Sequence, residues 1–350
     1  MSARFLGILL VTLIIPLLSP RSSLAQDLPP PGAQWDYHLG HGLRLGNSGL
    51  TLGGYSSLRY EDLHDRPREF AASALSLFIL WDSGARVRLF SELELEDFAV
   101  IREGRGFGSR SDPFEVERLY ADIYFSDMAN VRLGKFLTPI GRWNLIHADP
   151  LVWTTSRPLV TFQPFSSDTT GGMLYGTVSP LGKDLEYSLY AEVTDELNPD
   201  PAEQPFTEAV GLHLVSHLTG TTQLGVSYAN FEREKEWQER HDLFGMDFLW
   251  TKRRFEVTGE FVYRLGERRP DKDEWGVFVQ GVAPLSARLY AVGRYEFFDP
   301  EGRFSCVHLW VGGLAFRPLS PLVLKAEYSV GHHNQAGVAE GFATSFSILF

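Results

Sequence analysis

The chain has 350 residues, a net charge of −12 and one cysteine, Cys306. The acidic balance argues against nucleic acid as a partner, and a lone thiol excludes an internal disulfide framework. Aromatic residues at 13% and 33 glycines suit a chain built of strands and tight turns.

At the amino terminus Arg4 precedes an apolar run from Phe5 to Leu18, and Ser22-Ser23-Leu24-Ala25 supply small residues before Gln26. This reads as a secretory signal peptide over 1–25, cleaved after Ala25. The run is shorter than the roughly 20 residues of a membrane helix, and Pro16 interrupts it. Residues 26–49, with Pro29-Pro30-Pro31, are read as an irregular lead segment lying in the periplasm or entering the lumen.

Beyond residue 25 no apolar stretch has the length of a membrane helix, yet from residue 50 onward apolar and polar residues alternate in short segments. About 16 such segments follow one another, an even number that suits a closed barrel. They run over 50–60, 70–81, 86–100, 114–126, 130–136, 170–179, 185–194, 207–218, 222–231, 241–250, 254–264, 274–283, 287–297, 306–316, 322–330 and 341–350. Short connections at 82–85, 126–130, 179–184, 218–221, 251–253, 283–286 and 317–321 alternate with longer polar ones. Outer-membrane barrels keep short turns on the periplasmic side and long loops outside, whereas a soluble sandwich has no reason to sort loops by parity. The predicted fold is therefore all-β: a transmembrane, antiparallel, up-and-down β-barrel over residues 50–350, integral to a bacterial outer membrane.

Charge on a lipid face at mid-membrane costs about 2–4 kcal/mol for Arg or Lys, so charged positions within strands are placed inward. The predicted pore-lining wall carries Arg88, Glu92, Glu94, Arg118, Asp122, Arg132, Glu186, Arg288, Arg294, Lys325 and Glu327. Mixed signs of charge on a wall set up a transverse field, and paired charges also stiffen it.

Residues 137–169 alternate little and hold Pro139, Pro150, Pro158 and Pro164. Trp143, Leu145, Ile146, Leu151, Val152, Trp153, Leu159, Val160, Phe162 and Phe165 give this third external loop enough apolar surface to pack. It is expected to fold back into the lumen, with apolar residues against the wall and Arg142, His147, Asp149 and Arg157 facing the passage as a constriction. The rival reading pairs Arg142 and Arg157 with wall carboxylates such as Glu92 or Glu94, which merely holds the loop in place. Lys135, just before the bend, is a further candidate for this constriction, although strict alternation turns it outward.

The run Arg132-Leu-Gly-Lys-Phe-Leu-Thr-Pro-Ile-Gly-Arg-Trp-Asn144, followed by a loop with His and Pro, resembles the matching segment of porins related to the phosphate-selective (O/P-type) superfamily. The resemblance implies an inward-folded constriction loop, a homotrimer, and passive diffusion of small hydrophilic solutes or ions. Anion-selective members line the pore with arginines and lysines. The many carboxylates of this wall depart from that pattern, so phosphate specificity is not carried over.

The final strand places Phe342, Thr344, Phe346, Ile348 and Phe350 on one face. Ending on an aromatic residue in such a strand resembles outer-membrane barrels, which makes Phe350 the expected assembly signal for the barrel-assembly machinery. Lipids and lipopolysaccharide of the outer membrane are the other expected partners. Catalysis is not expected: no Gly-x-Ser-x-Gly motif occurs, and His213 and His217, four apart on a strand, lie about 13 Å from each other, too far for one metal. Neither metal nor cofactor is expected. The competing readings are a surface receptor or adhesin acting through the charged loops 232–240 and 266–274, and an outer-membrane barrel enzyme.

Overall fold

The computed structural model describes residues 35–110, 113–194, 197, 205–233, 239–266, 273–300, 306–332, 334 and 338–350. The signal-peptide segment, the first part of the lead segment and the centres of the two charged loops lie outside the described residues. The chain runs β1 (Trp35–His38), β2 (Gly42–Leu45), β3 (Leu50–Leu63), β4 (Glu69–Asp82), β5 (Val87–Arg102), β6 (Gly106–Gly108), β7 (Phe114–Ser126), β8 (Ala129–Leu137) and β9 (Asp168–Val178). It continues through β10 (Leu185–Glu192), β11 (Phe206–Thr219), β12 (Thr222–Arg233), β13 (Arg240–Lys252) and β14 (Phe255–Gly266). It ends with β15 (Glu274–Pro284), β16 (Leu289–Asp299), β17 (Val307–Leu319), β18 (Leu322–His332) and β19 (Gly341–Leu349).

Consecutive wall strands pair antiparallel, and β19 closes the sheet on β3 from Gly341 opposite Leu63 to Leu349 opposite Tyr55. Phe350 completes the seam by exchanging backbone hydrogen bonds with Gly54 at 2.9 and 3.1 Å. Setting aside the β1–β2 hairpin and the three-residue β6, the wall is a closed antiparallel barrel of 16 strands.

Alternation along each strand sorts the side chains, and the result is the reverse of a soluble core. Leu77, Leu119, Leu133, Leu189, Val279, Trp310 and Leu324 are exposed on the outside, whereas Glu92, Asp122, Glu260, Arg294, Glu296, Lys325 and Glu327 are buried on the inside. Charges can be buried only when hydrogen-bonded or paired, so the interior is a polar network by necessity. Arg118 lies on Glu92, and Arg132 holds Asp122 through two bonds of 2.8 and 3.0 Å.

The predicted strands differ from the observed ones by a few residues at their ends. One boundary moves a predicted wall residue: β16 starts at Leu289, so Arg288 lies in the exposed turn before it and not on the wall. The lead segment is also more regular than expected. In β1 and β2, Trp35 pairs with Leu45 and His38 with Gly42, and Leu43 of β2 sits opposite Leu52 of β3. The reason is an edge: β19 stops at the level of Tyr55, so the first residues of β3 would present unpaired backbone groups, and the hairpin takes the vacated place. A third difference concerns Lys135, which is buried inside, with its ammonium 3.7 Å from both Glu115 and Asp168. Gly134 precedes it with φ of +130°, a conformation outside a regular strand that breaks the alternation.

Closure depends on Gly54, where a Cβ would stand 2.0 Å from the carbonyl oxygen of Ser76 on β4. Gly54→Val is expected to push β4 away from the seam and leave most of the protein unfolded. The check is the fraction that keeps its compact, heat-sensitive mobility on cold gels, which should remain at wild-type level if the seam tolerates the side chain.

Candidate functional site

Residues 138–167 connect β8 to β9, and their two ends are tied together. The Thr138 N–H donates to Ser167 O at 2.8 Å, the hydroxyls of Thr138 and Thr169 meet at 2.9 Å, and Asn144 Nδ2 donates to both Thr138 O and Ser167 O. Within the segment only short 3-10 turns form, at Asn144–Ile146 and Leu159–Thr161. Some backbone N–H groups are met within the segment, as those of Leu151 and Val152 are by Ala148 O, and others need partners outside it.

The partners are carboxylates on the inner wall. Glu260 Oε1 of β14 accepts the successive N–H groups of Arg142 and Trp143 at 2.8 and 2.6 Å. Glu296 of β16 accepts Leu159 N–H at 2.7 Å, and Glu327 of β18 accepts Thr155 and Ser156 N–H at 2.8 Å each. Glu256 of β14 takes the Trp153 indole N–H at 2.9 Å. Cations satisfy the carbonyls in the same way: Lys325 donates to Asp149 O and Thr154 O at 3.0 Å, and Arg317 to Pro150 O at 3.0 Å. Arg294 binds Thr154 Oγ1, Ser156 O and Ser156 Oγ while holding Glu296 at 2.7 Å. Beneath these polar ties Ile140, Trp143, Val152, Leu159, Val160 and Phe165 pack with Val262, Phe278, Phe298 and Val307 of the wall.

Gly141 makes the first contact possible. Its φ is +66°, and a Cβ would stand 2.3 Å from Glu260 Oε2. Only glycine lets the backbone approach the carboxylate that closely.

The four expected constriction residues occupy different places. Arg142 is half-buried, bonded to Gln223 Oε1 of β12 and 3.8 Å from Asp247 of β13. Arg157 turns into its own segment, donating to Asn144 Oδ1, Thr161 O and Ser167 Oγ and stacking over Trp143 and Phe162. Arg142 thus meets a wall carboxylate as the rival reading had it, but Asp247 in place of Glu92 or Glu94, while Arg157 is held within its own segment. Glu92 already takes Ser76 and Arg118, and Glu94 accepts the Tyr55 hydroxyl at 2.8 Å. His147 stacks on Trp143 and lies 3.0 Å from Glu117 of β7. Asp149 is half-buried beside Ala148, which packs on Tyr55 and Ala74.

Apolar anchoring is only partly as expected: Leu145, Ile146 and Leu151 are exposed. Of the predicted wall residues, Arg294, Lys325 and Glu327 are buried under the segment, whereas Arg118 and Arg132 keep 20% and 22% of their side chains exposed. Arg88 and Glu186 lie nearer the short-turn end, paired with Asp82 at 2.9 Å and His217 at 2.7 Å. His213 is separately bound to Asp247 at 2.8 Å.

Glu117 was not singled out from sequence. A register shift between Glu92 and Leu93, where β5 meets β7, brings both Glu117 and Arg118 inside. The signal was the charged run Glu115-Val-Glu117-Arg118, which no regular strand can bury on one face. Glu115, Glu117 and Asp168 place carboxylate oxygens within 4.8 Å of one another, the nearest approach to a metal-ligand set among the described residues. Lys135 lies 3.7 Å from both Glu115 and Asp168, and His147 lies 3.0 Å from Glu117, so the set is already in contact with nitrogen donors.

The Glu260 contact generates a test. A buried hydrogen bond contributes about 0.5–1.5 kcal/mol net, and a buried donor left bare costs about 1–3 kcal/mol. Glu260→Ala should therefore lower the unfolding free energy in micelles by about 2–4 kcal/mol, and Glu260→Gln, which keeps one acceptor oxygen, by less than half of that. Equal losses in urea titrations would show that the carboxylate position, and not its acceptor oxygen, matters.

No protein-family profile matches the sequence. The chain is 24% identical over 334 residues to an uncharacterized protein of Aquifex aeolicus (strain VF5), covering 80% of this chain and 75% of that one. Among solved structures it is similar to Salmonella typhi OmpF in complex with daunomycin, with TM-score 0.62, 10% identity, and coverage of 91% of this chain and 100% of that chain. The trimer form of OmpT, an outer membrane protein of Vibrio cholerae, gives TM-score 0.59 at 12% identity, covering 86% and 99%. The anion-selective porin from Comamonas acidovorans gives 0.59 at 14% identity, covering 86% and 98%. The barrel fold is that of outer-membrane porins.

Proposed function

We propose that the protein is an integral outer-membrane channel through which small hydrophilic solutes diffuse passively, without a catalytic step. The observation that carries this reading is the uneven attachment of residues 138–167, whose hydrogen bonds concentrate on one side of the wall while His147 reaches Glu117 of β7 and Ala148 packs on Tyr55 and Ala74 on the other. The segment is bonded to inward-facing groups of β12, β14, β16, β17 and β18, and it leaves the inner face of β4, β5 and β7–β9 with half-exposed side chains. A wall covered on one side and open on the other describes a narrowed passage, with the segment as its constriction.

The apolar exterior and the porin-like architecture support an outer-membrane location. The homotrimer implied by the O/P-type resemblance has its support in a structural neighbour described as a trimer. Lipids, lipopolysaccharide and the assembly machinery remain the partners inferred from the strand pattern.

Purified protein in a planar bilayer is expected to give stepwise conductance with no energy source. Deleting residues 145–160 removes the ties to Glu296 and Glu327 and should enlarge the single-channel step several-fold. A deletion variant that assembles yet keeps the wild-type step would remove the segment from the pore, and silence of the wild type at all voltages and salts would favour the receptor reading.

A further inference from the structure

The half of the lumen that the segment leaves open is lined in a way that simple ion passage does not require. Phe78 of β4, Phe90 of β5, Tyr120 of β7 and Tyr175 of β9 face inward and are half-exposed, while their outward neighbours Leu77, Leu89, Leu119 and Leu174 are exposed on the outside. The first three form a continuous row, with ring centroids 5.8 and 5.3 Å apart. Arg118 lies 4.9 Å from the Phe90 centroid and 6.0 Å from that of Phe78, and Arg132 lies 3.8 Å from Tyr120 and 5.4 Å from Tyr175. Strands pack about 4.8 Å apart, so from β4 to β9 the row spans about 20 Å, and strand tilt inclines it to the barrel axis.

The two guanidinium groups cover part of these rings, and the aromatic surface left half-exposed in a polar lumen costs hydration unless a solute covers it. The charges beside them choose the solute. Each arginine rests on a carboxylate that is almost wholly buried, with 1% of Glu92 and 4% of Asp122 side-chain surface exposed. The charges cancel pairwise, while guanidinium N–H groups remain at the surface as donors. Glu94, Glu115 and Glu117 on the same strands are taken up by Tyr55, Lys135 and His147, so the strip carries no excess of positive charge that would select an anion. A solute that gains here is neutral, with a flat C–H face to lie on rings and a rim of hydroxyl oxygens to accept from arginine.

We propose that this strip is a carbohydrate track, along which a linear oligosaccharide slides ring by ring; the proposal rests on the channel reading and names its solute class. Leu145 and Ile146, exposed next to the His147–Glu117 contact on β7, extend the apolar surface at the segment's side of the passage.

Two measurements on the full-length folded protein separate the proposal from the channel reading. Titration calorimetry with maltohexaose in micelles should give saturable binding, and bilayer currents should show brief closures that lengthen with its concentration. Phe90→Leu keeps most of the apolar volume but removes the ring, and should weaken binding about tenfold. Binding without conductance would leave the track standing and defeat the channel reading. A conducting channel that ignores maltohexaose, that responds to benzoate instead, or whose Phe90→Leu variant binds as the wild type does, would overturn the carbohydrate assignment.

Discussion

An irregular chain inside a barrel faces a constraint that the wall strands escape: its backbone donors and acceptors have no ladder to join. Residues 138–167 resolve it by borrowing side chains from the wall. Glu260, Glu296 and Glu327 each accept backbone N–H groups, while Lys325, Arg294 and Arg317 donate to backbone carbonyls. These charged side chains thereby gain partners against the wall, and the backbone groups they meet escape the cost of desolvation. Removing either partner would strand the other, so segment and wall are a single cooperative unit.

That constraint explains the asymmetry of the interior. Where the segment lies, wall charges are consumed by it and apolar residues such as Phe278, Phe298 and Val307 pack behind them. Where it does not lie, carboxylates turn to arginines of neighbouring strands, as Glu92 does to Arg118 and Asp122 to Arg132. The two halves of one barrel therefore use the same residue types for different ends. On the covered side they hold a backbone; on the open side they shape a surface.

Alternation made the barrel, its strand order and the inward set readable from the chain, because lipid and water impose opposite demands on adjacent residues. It was blind wherever the backbone leaves the strand conformation. Gly134 turns Lys135 inward, the shift between β5 and β7 adds Glu117, and the β1–β2 hairpin answers an edge created by the distant end of β19. Alternation also says which charges face the lumen without saying which atoms they meet. Arg142 and Arg157 illustrate this: their composition suggested a charged rim, yet Gln223 holds one and Asn144, Thr161 and Ser167 hold the other.

The same geometry bears on how firmly the segment sits. A loop fastened by its own side chains can loosen through single rotamer changes, since each contact ends on a flexible group. Here the fastening runs from wall side chains, most of them buried, to the segment's backbone at residues 142–143, 155–156 and 159, and through carbonyls at 149, 150 and 154. Backbone cannot rotate away without moving its neighbours, and Arg157 ties the midpoint to Ser167 at the base of β9. Side chains between the ties are then free to differ without releasing the segment. Leu145, Ile146 and Leu151 use that freedom and stay exposed, although a packed segment would otherwise draw apolar residues onto the wall.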